Sequence, residues 1–184
     1  ETTATLSTLK KIAALKKISV LLTQHNIAHI HLKGPVLSYY LYQNPVVRLS
    51  KDLDIIISPG ELARTCELLA QEGYKVGIDL SNPRIRRETL AYLHDIPVET
   101  PRRDVLFELH FKLIDAPHVY NMAWETIWSA HQTVTMDGQK FYFLSDDHNL
   151  LYLCAHGHQN LWRRQQWLLD FGLAMAKYSG SEDH

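Results

Sequence analysis

A chain of 184 residues, 46% of them apolar and 21% charged, is sized for one domain with a sizeable core, or for one domain carrying a helical appendage. Nineteen basic against twenty acidic side chains argue against a broad electrostatic grip on nucleic acid, and no apolar run is long enough to span a membrane. Cys66 and Cys154 lack metal-type spacing and read as reduced core thiols of a cytoplasmic protein; with no secretory signal and no methionine before Glu1, the chain reads as a processed or truncated piece of something longer.

From Ala4 to Gln24, apolar residues recur at helical spacing (Leu6, Leu9, Ile12, Ala13, Leu15, Val20), with lysines largely on the other faces. Ile27 to Leu32 alternates as a short strand. Gly34-Pro35 then opens a helix that Asn44-Pro45 ends near Tyr42. Leu53 to Ile57 is the second predicted strand, and Ser58-Pro59-Gly60-Glu61 is a capping box before a helix closed by Gly73. Tyr74 to Ile78, Leu90 to Asp95 and Asp104 to Leu113 are predicted as strands, with the arginines 84, 86 and 87 in a polar stretch after Asn82-Pro83. That cluster and Arg102-Arg103 are expected to be solvated loops rather than an acceptor-binding surface. A short helix over Asn121 to Ala130 precedes a hairpin turned by Asp137-Gly138. Ser145 caps a last helical region that runs to about Tyr178, with a break near Gly157. The expected class is α/β (α+β): a mixed sheet flanked by helices. Residues 1–144 form the core and 145–184 a C-terminal helical segment packed on it.

Asp52-Leu53-Asp54 carries the first chemistry. Alternation in a strand puts both carboxylates on one face, roughly 7 Å apart. Like charges at that distance repel by about 2.4 kcal/mol at an effective dielectric near 20, a cost that a divalent cation between them relieves. On Val105 to Phe111, Glu108 and His110 share a face beside Asp104, while Phe107, Leu109 and Phe111 point into a core. Glu108 either completes a three-carboxylate metal site or lies on a solvated sheet face. If the strand of Asp54 extends back far enough, Arg48 and Ser50 also share its face, and the planar fork of arginine suits phosphate oxygens. His156, Arg163 and Asp170 recur every seven residues and predict one helical stripe. Arg163 and Asp170 read as a clamp between this helix and the sheet. His156 and His158 point about 200° apart on a regular helix, so they do not share one ion.

The series Leu32-Lys33-Gly34, Arg48, Asp52-Leu53-Asp54, Glu108-Leu109-His110, His156-Gly157 and Trp167-Leu168-Leu169-Asp170 resembles the bacterial uncharacterised nucleotidyltransferase family of the polymerase-β-like superfamily, over about residues 22–177. The resemblance implies a nucleotidyltransferase-type mixed sheet, Mg²⁺ or Mn²⁺, and a nucleoside triphosphate such as ATP. Its reaction transfers a nucleoside monophosphate and releases pyrophosphate. It implies Asp52, Asp54 and Glu108 as metal-binding and catalytic residues, and Lys33, Gly34, Arg48 and Ser50 at the nucleotide. His110, His156 and Asp170 are accessory. Where the wider superfamily has Gly-Ser after the first strand, this chain has Lys33-Gly34, a point charge in place of a hydroxyl. The acceptor is a small molecule, a protein or an RNA end, and no residue selects among them. One alternative is a catalytically inactive nucleotide-binding or scaffold domain. A histidine-aspartate phosphohydrolase, suggested by His94-Asp95, fits poorly because those ligands come from helices.

Overall fold

The computed structural model describes residues 2–114 and 122–181. The chain starts with helix α1 (Thr2–Gln24), strand β1 (His29–His31), α2 (Gly34–Tyr42) and β2 (Leu53–Ile57). A 3₁₀ turn, Pro59–Glu61, leads into α3 (Leu62–Gln71), β3 (Lys75–Val76), α4 (Pro83–Tyr92), β4 (Asp95–Glu99) and β5 (Leu106–His110). The remainder is α5 (Trp124–Ser129), the hairpin β6 (Gln132–Met136) and β7 (Gln139–Phe143), then α6 (Asp146–Gln159) and α7 (Gln165–Ser181). This is the expected mixed α/β class.

All the described strands join one sheet in the order β3-β4-β5-β2-β1-β7-β6. β2 runs parallel to β5 and antiparallel to β1, and β1 runs parallel to β7. β2 is therefore interior, and all five of its residues are buried. The alternation of its side chains divides them between two cores. Leu53, Ile55 and Ile57 join Leu15, Ile18, Leu22, Val36, Leu37 and Leu69 on the face covered by α1, α2 and α3. Ile56 joins Ile30, Leu32, Ile127, Tyr152 and Ala155 on the face covered by α5 and α6. Asp54 shares that second face, where α6 leaves room for a cleft.

Three expectations are corrected. The stretch predicted as a strand over Leu90 to Asp95 begins as the last turn of α4, a helix started by the Asn82 side chain accepting from the Arg84 N–H and by Pro83 in the first turn, and reaches β4 only at Asp95. Most of α4 is exposed, so no apolar stripe announced it. The strand lies further on and contains Pro97, expected in a connection. The Pro97 carbonyl accepts from Gly77 N–H at 2.9 Å, so its nitrogen faces short edge strand β3, where a missing donor costs little. Asp104 precedes β5 and accepts from Thr100 Oγ1 instead of standing beside Glu108.

The helix break expected near Gly157 falls at 160–164, just beyond it. Leu161 and Trp162 both adopt positive φ, and Trp162 N–H closes α6 on the Gly157 carbonyl. His156, Arg163 and Asp170 therefore do not lie on one helix. The partner of Asp170 is Arg48 rather than Arg163.

Candidate active site

β2 and β5 bring two carboxylates side by side. Asp54 and Glu108 are register partners, and His110 stands opposite Ile56 on the same face as Glu108. Asp52 lies just ahead of β2 and is half-buried. Lys33 stands two residues after the end of β1, and the intervening Leu32 donates its N–H to the Asp54 carbonyl, which brings the lysine alongside. Its Nζ lies 2.7 Å from Asp54 Oδ1, with both side chains buried. His110 Nε2 approaches the same oxygen at 3.3 Å and Glu108 Oε2 at 3.6 Å. The Tyr152 ring, on α6, lies under Lys33 with 5.6 Å from Nζ to its centroid.

These contacts set the charges. Burial alone would raise the Asp54 pKa, but the Lys33 ammonium and the His110 contact reverse this and hold the carboxyl well below its usual range. Burial likewise opposes the Lys33 charge, and Asp54 more than offsets it, so the ammonium is held above its ordinary pKa. Asp52 moves the other way: burial and then the charges of Asp54 and Glu108 raise it. His110 is opposed by burial and favoured by its hydrogen bonds to Asp54 and Glu108, which bring it to about 8. His156, beyond the carboxylates, is lowered to about 4 by burial and by the Lys33 charge.

A cleft of about 210 Å³ opens on this cluster, lined by Lys33, Arg48, Ser50, Asp52, Asp54 and Glu108 and, from the C-terminal helices, by His156, Asn160, Arg164 and Trp167. Four larger hollows, of about 540, 520, 470 and 270 Å³, lie away from these carboxylates; chemistry rather than size marks the candidate site.

Arg48 and Ser50 reach the cleft by a route that alternation did not predict. β2 begins at Leu53, and both residues belong to the preceding loop. Arg48 N–H donates to Ser38 Oγ, and its Nε donates to Asp170 Oδ2 at 2.8 Å. Asp170 also accepts from the Tyr42 hydroxyl at 2.8 Å, and burial followed by that bond raises Tyr42 to about 12. The Ser50 carbonyl accepts from Lys11 Nζ. Gly34 takes φ +65°, and an added Cβ would meet Leu53 Cδ2 at 3.1 Å, so glycine lets α2 start against β2.

Sequence reasoning missed Tyr152 and Arg164. Tyr152 sits within the apolar run of α6 and looks like ordinary core. Arg164 stands 5.4 Å over the Trp167 ring, a contact hinted at only by their spacing of three. One ligand atom from each of Asp54, Glu108 and His110 lies within 4.8 Å of the others.

A family model described as an uncharacterised nucleotidyltransferase matches residues 1–184. The chain belongs to that family. It is thus a nucleotidyltransferase by family, consistent with a polymerase-β-like fold. No curated protein sequence is detectably similar to it. Among solved structures, the antibiotic-resistance factor ANT(2'')-Ia superposes with a TM-score of 0.64 at 12% identity, over 92% of this chain and 85% of that one. The lincosamide antibiotic adenylyltransferase LnuA, bound to lincomycin, gives 0.59 at 14% identity, over 88% and 94%. An antigenic nucleotidyltransferase-like protein from Paracoccidioides brasiliensis gives 0.53 at 18% identity, over 94% and 76%. At these identities the likeness is one of fold. Among the described residues, no helix is long and apolar enough to cross a membrane.

Proposed function

We propose that this nucleotidyltransferase moves a nucleoside monophosphate from a nucleoside triphosphate to an acceptor hydroxyl, with Mg²⁺ or Mn²⁺ held by Asp52, Asp54 and Glu108. The observation that carries this reading is the convergence of the three carboxylates on one cleft. The donor set fits a hard cation: the oxygens are carboxylate oxygens, and Asp52 is pushed up by burial and by its acidic neighbours, a field that a cation relieves. Lys33 and His110 both engage Oδ1 of Asp54, so in this reading Oδ2 is the oxygen that would take the ion. When bound, the metal neutralises the triphosphate and the charge that develops during transfer.

The chain's own groups do the rest. Lys33 keeps Asp54 ionised, and Arg48, anchored through Nε by Asp170, binds phosphate oxygens with its remaining guanidinium N–H groups. Ser50 and the start of α2 at Gly34 supply donors beside it. The acceptor oxygen bonds to the α-phosphorus, the bond to pyrophosphate breaks, and Glu108 takes the hydroxyl proton. A solved structure of ANT(2'')-Ia contains adenylyl-2''-tobramycin and that of LnuA contains lincomycin, which favours a small polyhydroxylated acceptor here as well. One observation favours a second reading, a nucleotide-binding domain without transfer: the Lys33–Asp54 ion pair already neutralises one of the three carboxylates.

The deciding experiment titrates each NTP with and without Mg²⁺ by calorimetry, in wild type and in Asp52→Asn, then follows pyrophosphate release over a panel of hydroxylated acceptors that includes tobramycin and lincomycin. Mg²⁺-dependent binding lost in Asp52→Asn, with release on some acceptor, supports transfer. Binding without release across the panel supports the second reading. No binding by the folded protein overturns both.

A further inference from the structure

We propose that His94, Asp95 and His110 form a second metal site, for a transition-metal ion of the zinc class, adjoining the carboxylate cleft. The sequence singled out His94-Asp95, and the nucleotidyl-transfer reading leaves it unused.

The register of the sheet assembles the site. Asp95 on β4 is the direct partner of His110 on β5. His94, one residue ahead, is fixed there because its carbonyl accepts from the Phe111 N–H at 2.9 Å and the Lys112 N–H at 3.3 Å. One ligand atom from each of the three side chains lies within 4.8 Å of the other two. The His94 and His110 ring centroids are 5.9 Å apart, and His94 Nε2 is 2.8 Å from Asp95 Oδ2.

His110 supplies the independent observation. Its side chain is 5% exposed, its Nε2 faces the Asp54 and Glu108 carboxylates, and its buried Nδ1 has no hydrogen-bond partner among the described residues. A buried ring nitrogen without a partner needs an explanation. A metal ion on Nδ1, with Nε2 donating to a carboxylate, is the arrangement of a metal-bound histidine. Two imidazoles and a carboxylate suit Zn²⁺, with a water in the remaining position, and do not suit Mg²⁺, which prefers oxygen. Entry is from solvent, past His94 at 40% and Asp95 at 23% side-chain exposure. An ion here locks His110 in the tautomer that donates Nε2–H to Asp54.

The test is a Co²⁺ titration of the full chain in excess Mg²⁺, which occupies the carboxylates, with visible ligand-field absorption as the readout and Zn²⁺ as competitor. Wild type should take up one equivalent of Co²⁺, displaced by Zn²⁺. His94→Ala and Asp95→Asn should each weaken it by about tenfold or more, and Asp52→Asn should leave it unchanged. In wild type, Zn²⁺ should also protect His94 from diethyl pyrocarbonate, a readout that needs no variant to fold. No bound equivalent, absorption indifferent to both His94→Ala and Asp95→Asn, absorption lost in Asp52→Asn instead, or unprotected His94 would each overturn the site. None of these results depends on nucleotide binding or transfer.

Discussion

Arg48 Nε donates to Asp170 Oδ2 at 2.8 Å across 122 residues of sequence, with side-chain exposures of only 5% and 0%. The pair ties the loop that leads into Asp52 to helix α7. Removing one partner strands a buried charge, which costs far more than the pair itself contributes. Asp170→Ala should therefore lower unfolding stability by about 3–5 kcal/mol, and Arg48→Met/Asp170→Leu should recover part of the loss. Urea unfolding of the three proteins checks this; a loss below about 1 kcal/mol in Asp170→Ala would show that water reaches the pair.

Lys33 governs the acid limb of stability. Asp54 has its folded pKa held below the unfolded value, so its contribution is present above the ordinary carboxylate range and is lost as pH falls below it. In Lys33→Met the ammonium is gone while the burial remains, so Asp54 should protonate at higher pH. The acid midpoint of unfolding should then move upward relative to wild type, as followed by circular dichroism. An unmoved midpoint would mean that His110 alone suffices to keep Asp54 ionised.

His156 contributes a separate dependence. Its folded pKa is near 4, against an ordinary 6.5, because burial and the Lys33 charge oppose the imidazolium. Both states are neutral above 6.5, so this contribution is complete there; it is lost as pH falls toward 4, where the unfolded chain takes up the proton first. The decline should amount to about 2 kcal/mol, allowing for the solvated edge of the ring. His156→Gln should flatten that part of the stability profile between pH 6.5 and 4. An identical slope in wild type and variant would rule out His156 as its source.

What was legible in the sequence is what is encoded locally. Asp52-Leu53-Asp54 ahead of three isoleucines announces a strand with acidic residues at its start, and Gly34-Pro35 announces the helix before it. Strand alternation also placed Glu108 and His110 on one face. The rest depends on register and on distant partners. That Asp95 stands opposite His110 follows from the pairing of β4 with β5, and Pro97 obscured β4 because its harmless nitrogen is evident only once β3 is seen beside it. Helix α4 carries almost no buried side chain, so its cap rather than its periodicity specifies it. Arg48 would have shared the strand face only if β2 extended back to it; β2 begins at Leu53, and Arg48 stands in the loop before it, held by a residue on another helix.

Gly157 shows the same dependence at a single position. Glycine within a helical pattern suggested a break, yet α6 continues through it to Gln159. The reason for glycine lies five residues on. An added Cβ would stand 2.3–2.5 Å from atoms of the Trp162 ring, which folds back over the helix and meets Phe171 of α7 at 5.6 Å between centroids. Trp162 is held there by its N–H on the Gly157 carbonyl and by positive φ at Leu161 and at Trp162 itself, so the ring has little freedom to retreat. Gly157→Ala should improve local helix propensity by up to about 1 kcal/mol and still destabilise the protein, because displacing an aromatic ring from a packed position costs about 1–3 kcal/mol. Relieving the clash by Trp162→Ala should reverse the sign, so that Gly157→Ala becomes neutral or stabilising in that background. A double-mutant cycle by thermal and urea unfolding measures this coupling directly. Additive effects would show that the ring does not rest on Gly157 in solution, and that the turn from α6 to α7 is set by its backbone alone.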